Sequence, residues 1–185
     1  MPTSRAEEIA REARAIVEQE GVDALTMRHL AERLGVKAPS LYKHYRSKQE
    51  LEAAVIASGL DEVAEKLASA VQESGDPLVA IAHAYRSFAL ANPHLYRLMT
   101  ERPLPRHLLP AGLEARAAAP LLNATETIDS ARALWAFAHG MCQLEIVGRF
   151  PAEADLDEAW REGIAAFAAR PVPRRAVVRS WKGPD

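Results

Sequence analysis

The sequence predicts an all-α protein: a small N-terminal three-helix domain built around a helix-turn-helix, followed by a larger C-terminal helical domain. Three observations carry this expectation. Apolar residues recur at spacings of three and four along nearly the whole chain, and no stretch alternates as a strand would. Capping side chains stand where helices should begin, twice with proline at the first helical position, at Asp76-Pro77 and Asn92-Pro93. The run Gly35 to Tyr45, Gly-Val-Lys-Ala-Pro-Ser-Leu-Tyr-Lys-His-Tyr, reads as the turn and second helix of a helix-turn-helix. A chain of 185 residues, 49% of them hydrophobic, has ample apolar surface for a packed core.

Taken in order, Ser4 with Glu7 forms a capping box, and Ile9, Ala13, Ile16 and Val17 give the stripe of a first helix that stops at Gly21. Thr26 caps the second, whose inward face is Met27, Leu30, Ala31 and Leu34; Gly35 then closes it in the left-handed conformation. Pro39 falls in the first turn of the third helix, where a missing N–H costs nothing. There Leu41 and Tyr45 pack inward, leaving Ser40, Tyr42, Lys43 and His44 outward. Ser47 with Glu50 makes a second capping box and opens a helix of about 25 residues, about 40 Å long. Its apolar face is Leu51, Val55, Val63, Leu67 and Val71, and its length suits a connecting rod.

Helices beginning at Pro77 and Pro93 follow, the first with Leu78, Ile81, Ala82, Tyr85, Phe88 and Ala89 inward. Pro103, Pro105 and Pro110 break the chain into a loop before an alanine-rich segment ending near Leu122. Another long helix is expected from Thr125 to about Arg149, and a last one from Asp157 to about Arg170. Beyond Pro171, further prolines with Arg174, Arg175, Arg179 and Lys182 read as a mobile basic tail. The expected domains are therefore 1–47 for the helix-turn-helix, 48–170 for the helical body and 171–185 for the tail.

Charge points to nucleic acid at one end only. The whole chain, with 23 Lys+Arg against 25 Asp+Glu, carries −2, which by itself argues against a nucleic-acid partner. From Thr26 to Lys48, however, six cations (Arg28, Arg33, Lys37, Lys43, Arg46 and Lys48) face one anion, Glu32, a balance of +5. From Gln49 to Ala169, nine cations face seventeen anions, a balance of −8. A short basic face on an acidic body lets one end meet the phosphate backbone, and Ser40, Tyr42, Lys43 and His44 have the length and donors to reach phosphates and base edges.

The expected helix from Thr125 is apolar on two sides. Ile128, Ala131, Trp135, Ala138 and Cys142 line one, while Leu134, Phe137, Met141, Leu144 and Gly148 line the other. The last helix adds Leu156, Trp160, Gly163, Ile164 and Phe167. One face can serve the chain's own core. The other suits a homodimer in which two such helices from each chain form a four-helix bundle, with Leu134, Phe137, Met141, Leu144, Trp160, Ile164 and Phe167 at the interface. The alternative is that both faces are buried within one chain.

These residues together resemble the TetR family of one-component transcriptional regulators, of the TetR/AcrR type. The resemblance rests on Ala24 to Ala31, Leu34-Gly35-Val36, Pro39 to Tyr45 and Ser47 to Leu51, a run similar to the family's DNA-binding signature. It implies Thr26, Tyr42 and Lys48 as phosphate contacts, and Arg28, Ala38, Pro39, Ser40, Lys43 and His44 as positions near base edges. Lys37 departs from the small capping residue of many members, and Tyr45 from their Phe. Trp135, His139 and Gly140 resemble a Trp-His-Gly pattern in the C-terminal domain of one subgroup. The family further implies a ligand-binding and dimerisation domain enclosing a pocket for a small apolar effector. Tyr85, Phe88, Tyr96, Met99, Trp135 and His139 are the large residues that could line it. The expected function is a ligand-responsive repressor that binds a palindromic double-stranded DNA operator as a homodimer.

Other classes find little support in the residues. There is no Gly-rich phosphate loop, no Gly-x-Ser-x-Gly and no histidine pair at ligand spacing on one helix, so no enzyme, metal or cofactor is expected. The single cysteine, Cys142, excludes an internal disulfide and reads as a small buried hydrophobe. No apolar run approaches the ~18 residues of a membrane span, and Arg5, Glu7 and Glu8 do not fit a signal peptide, so a cytoplasmic protein without membrane contact is expected. An architectural DNA-binding dimer without an effector, and an enzyme carrying a DNA-targeting module, remain as alternatives.

Overall fold

The computed structural model describes residues 4–168, which form nine α-helices and, among those residues, no strand. These are α1 (Arg5–Glu20), α2 (Met27–Arg33), α3 (Ala38–Leu41), α4 (Lys48–Glu73), α5 (Pro77–Ala91), α6 (Pro93–Thr100), α7 (Leu113–Ala124), α8 (Ile128–Ile146) and α9 (Leu156–Ala168). The all-α expectation is borne out. The basic segment beyond Pro171 lies outside the described residues. The chain divides into two compact units: the first runs to Glu62 and takes in Asn92–Leu113, and the second combines Val63–Ala91 with the chain from Glu114 on. Among the described residues no helix is long and apolar enough to cross a membrane.

The first unit follows its local chemistry closely. Ser4 Oγ accepts from the Glu7 amide at 3.2 Å while the Glu7 carboxylate accepts from the Ser4 amide at 2.8 Å, closing the capping box. Ile9, Ala13, Ile16 and Val17 are buried on α1. Thr26 Oγ1 accepts from the His29 amide at 3.0 Å and starts α2, and Gly35, at φ +65°, ends it. The next helix is shorter than the sequence suggests. Regular α structure stops at Leu41, whose carbonyl accepts from both the His44 and Tyr45 amides, at 2.9 and 3.0 Å. Two features account for this: Lys37 offers no side-chain acceptor at the helix start, and Tyr45 turns inward to donate its hydroxyl to the Ala6 carbonyl at 2.9 Å. Burial, and then the nearby Glu7 charge, push the Tyr45 phenol up, so it stays a donor.

At the next boundary Ser47 Oγ accepts from the Glu50 amide at 3.1 Å. The return arm of the expected capping box goes instead to the Arg46 amide, at 2.7 Å from Glu50 Oε2. Within the same unit α6 packs on α1, and the His94 ring lies 3.1 Å from the Glu18 carbonyl.

In the second unit α5, α8 and α9 pack on one another. Asp76 Oδ1 accepts from the Leu78 and Val79 amides and caps α5 as expected. The long helix placed from Thr125 begins later: Thr125 Oγ1 donates to the Leu121 carbonyl of α7, and it is Thr127 Oγ1 that accepts from the Ser130 amide, at 3.0 Å. The chain leaves α8 at Val147, short of Arg149. The buried residues of α8 are Ala131, Leu134, Ala138 and Cys142, a single stripe at spacings of three and four.

Candidate nucleic-acid interface

The helix-turn-helix presents a defined set of free ends. Thr26, Arg28, Lys37, Pro39, Tyr42, Lys43 and His44 are exposed, Ala38, Ser40 and Lys48 half-buried. Leu41, buried, and Tyr45, half-buried, hold the opposite side of the same turn. Tyr42 is 49% exposed although it is a large aromatic. Thr26 uses a lone pair for the helix cap, which leaves its O–H able to donate elsewhere. Ser40 differs: its hydroxyl donates to the Lys37 carbonyl at 2.7 Å and so is engaged within its own turn.

Ion pairing redistributes the six cations. Arg33 is engaged within the chain, with its guanidinium on Glu12 at 2.8 Å, on Glu20 at 3.2 Å and on Gln19, so it fastens α2 to α1 across the surface. Arg28 pairs with Glu32, at 3.0 Å, and its side chain is 89% exposed. Such a surface pair contributes about 0.3–0.5 kcal/mol, little enough for a phosphate or a guanine edge to displace. Lys48 lies 3.4 Å from Glu52. The basic face is therefore Arg28, Lys37, Lys43, Arg46 and Lys48, with Arg33 serving structure.

The residues expected at the dimer interface separate into two groups. Leu134, Trp160 and Ile164 are buried within this one chain, at 3%, 1% and 3% exposure, and belong to the core of the second unit. That is a correction. The Phe137 ring stacks edge-on against Trp160 and lies 5.9 Å from Phe167, and a Cβ on Gly163 would fall 2.0 Å from that ring, so this glycine's close approach is used within the chain. Leu144 remains exposed, and Phe137, Met141 and Phe167 half-buried.

The expected effector residues also divide. Trp135 donates its indole N–H to the Tyr85 hydroxyl at 3.1 Å, and the His139 ring is centred 6.2 Å from it, while Phe88 of the same unit is buried at 1% exposure. Trp135 is 51% exposed, against the expectation that it lies on the inward face. The buried stripe passes through Leu134, and one residue further on is a turn of ~100°, which carries Trp135 to the flank. Tyr96 and Met99 belong to the first unit, where Tyr96 is buried and Met99 lies against Gly59 of α4.

One cluster escaped the sequence reading. Arg86 of α5 donates to Glu145 Oε2 of α8 from Nε at 3.0 Å and Nη2 at 2.8 Å, and to Asp157 of α9 at 2.5 Å. Trp160 Nε1 donates to the other Glu145 oxygen at 2.7 Å, and the Arg86 guanidinium sits 5.7 Å over the Trp160 ring. Burial works against the Arg86 charge, but the bonds to Glu145 and Asp157 push its pKa up, and the bond from Arg86 holds Asp157 below its ordinary value. The available signal was slight: Arg86 is the one Lys, Arg, Asp or Glu of α5, and Glu145 stands in the otherwise uncharged second half of α8.

Known proteins agree with this architecture. Residues 7–55 match the tetR family of bacterial regulatory proteins, and residues 78–167 match the tetracyclin repressor-like C-terminal domain. An uncharacterized HTH-type transcriptional regulator of Mycobacterium tuberculosis is 30% identical over 88% of this chain and 79% of its own. The class A tetracycline repressor protein of Escherichia coli is 29% identical over 95% and 94%. The multidrug binding protein EbrR, solved with imidazole, superposes with a TM-score of 0.71 at 23% identity, over 94% of this chain and 98% of its own, and shares the fold. With both of its units matched and a relative aligned over most of its length, the chain belongs to the tetR family and is a DNA-binding transcriptional regulator.

Proposed function

We propose that the protein is a homodimeric repressor, acting in the cytoplasm, whose two helix-turn-helix faces grip a palindromic operator and whose second unit takes a small apolar effector that releases the DNA. The observation that carries this reading is the contrast between Arg33, tied to Glu12 and Glu20, and the outward set Thr26, Arg28, Tyr42, Lys43 and His44. Half-sites about one helical turn apart, ~34 Å, require two such faces on a twofold axis. Phe137, Met141 and Leu144, with Val147 at 49% exposure, are the apolar remainder of α8 that a second copy would cover.

For the effector, the hydrogen-bonded Tyr85–Trp135 pair beside His139 offers flat aromatic surface with polar edges. EbrR is a multidrug binding protein solved with imidazole and with ethidium, both flat and aromatic, which supports an aromatic ligand for this chain. Linkage sets the size of the effect at about 1–3 kcal/mol, and DNA must weaken effector binding equally.

The test begins with a duplex selected from a random pool. Sedimentation should give a dimer, and Leu144→Glu should yield monomers that bind the selected duplex less tightly. A panel of small aromatic compounds titrated against that duplex should contain one that lowers affinity in the wild type but not in Trp135→Ala. A wild-type monomer at micromolar concentration removes the dimer; a compound equally active on Trp135→Ala removes the effector site.

A further inference from the structure

The start of α4 carries a carboxylate that is poorly satisfied. Glu52 stands one turn beyond Lys48 with its side chain 16% exposed, and its Oε1 is buried without a hydrogen-bond partner among the described residues. Two cations stand near that oxygen without bonding to it: Lys48 Nζ at 3.4 Å and Arg102 Nη1 at 4.0 Å. Both are far more open than the acid they share, at 40% and 57% exposure. The other acid near Arg102 is Asp23, 3.7 Å away and fully exposed, which water screens into a weak hold.

We propose that Arg102 is a positioning residue for DNA binding: when a phosphate draws Lys48 off Glu52, Arg102 closes on that carboxylate and becomes its counter-ion. The proposal rests on Lys48 as a phosphate contact. A carboxylate this shielded cannot lose the nearer of its two cations without penalty, so unless the other closes in it would hold Lys48 back and would also repel the incoming phosphate. Arg102 suits the exchange. It lies at a bend just after α6, its side chain is long, and its planar fork pairs with a carboxylate from several directions. Closing from 4.0 Å to hydrogen-bond distance takes a movement of about 1 Å.

The experiment measures full-chain binding to a mixed-sequence duplex of about 30 bp across a salt series, so that affinity and salt slope are both read. Arg102→Ala should weaken binding about three- to tenfold and reduce the slope by about one phosphate, because Lys48 stays with Glu52. Arg102→Lys should bind nearly as the wild type. In the Glu52→Gln background the Arg102→Ala loss should vanish in both readouts, since a neutral amide does not retain Lys48. A slope that stays low in the double variant would mean that Arg102 itself touches phosphate, and would overturn the proposal, as would wild-type binding by Arg102→Ala. Lys48→Ala separates the two levels: if it binds like the wild type, the phosphate role of Lys48 fails and the exchange with it, whereas a weakened Lys48→Ala beside an unaffected Arg102→Ala removes the exchange alone.

Discussion

Replacing Arg86 by methionine keeps the apolar stem and removes the guanidinium, so it isolates the ionic part of the α5–α8–α9 clamp. Glu145, whose side chain is 6% exposed in the wild-type chain, would keep the Trp160 indole as the remaining donor described at its carboxylate. Removing one partner of a buried pair costs about 3–5 kcal/mol, and the retained Trp160 bond places this case near about 3 kcal/mol. The lost stacking of the cation on the Trp160 ring adds up to about 1 kcal/mol, which the methionine offsets in part. With a urea m-value of about 2–3 kcal/mol/M, the midpoint should fall by about 1–1.5 M. Glu145→Gln in the same chain removes the stranded charge. Arg86→Met/Glu145→Gln should therefore recover about 1–2 kcal/mol of the loss, a coupling that independent sites would not show. A fall under about 1 kcal/mol for Arg86→Met, or a double variant equal to the sum of the singles, would refute the view that this cluster holds the second unit together.

Other outcomes follow from single residues. Asp157 has its folded pKa lowered by the hydrogen bond and charge of Arg86, so its contribution is present above the unfolded-state value and is lost as pH falls through the folded one. Urea midpoints measured from about pH 5 down to about pH 3 should decline less steeply for Asp157→Asn than for the wild type, and identical slopes would show that the pair adds nothing. Gly35→Ala meets no atom within 4 Å, so its cost is purely backbone strain at φ +65°; a destabilisation of about 1–2 kcal/mol is expected, and an unchanged midpoint would contradict it. Gly163→Ala would push into the Phe137 ring and should cost about 1–2 kcal/mol after the helix-propensity gain, visible as a lower melting temperature.

What the sequence disclosed was the chemistry that acts over a few residues. The Ser4–Glu7 box, the Thr26 and Asp76 caps and the Gly35 stop could be read because each bond joins residues two to four apart. The interior stripe of α1 was legible for the same reason: one helix period fixes which side chains meet the core. The role of Arg33 could not be read, because Glu12 and Glu20 approach it from another helix and turn one of the six cations of the basic segment into a fastening. The Arg86–Glu145 pair spans 59 positions and leaves no local pattern. Trp135 shows the limit of a two-faced helix: periodicity grouped it with Ala131, Ala138 and Cys142, but the buried stripe runs through Leu134 instead and leaves Trp135 exposed.

The account turns on the basic face from Thr26 to Lys48 reading sequence through Arg28 and gripping phosphate through Lys48. The most direct measurement compares Arg28→Ala and Lys48→Ala on a duplex selected from a random pool and on a scrambled duplex, each over a salt series. Lys48→Ala should weaken binding to both duplexes alike and lower the salt slope by about 1, while Arg28→Ala should cost about 1–3 kcal/mol on the selected duplex and little on the scrambled one. Equal losses for both variants on both duplexes, or a pool from which no sequence is enriched, would contradict it.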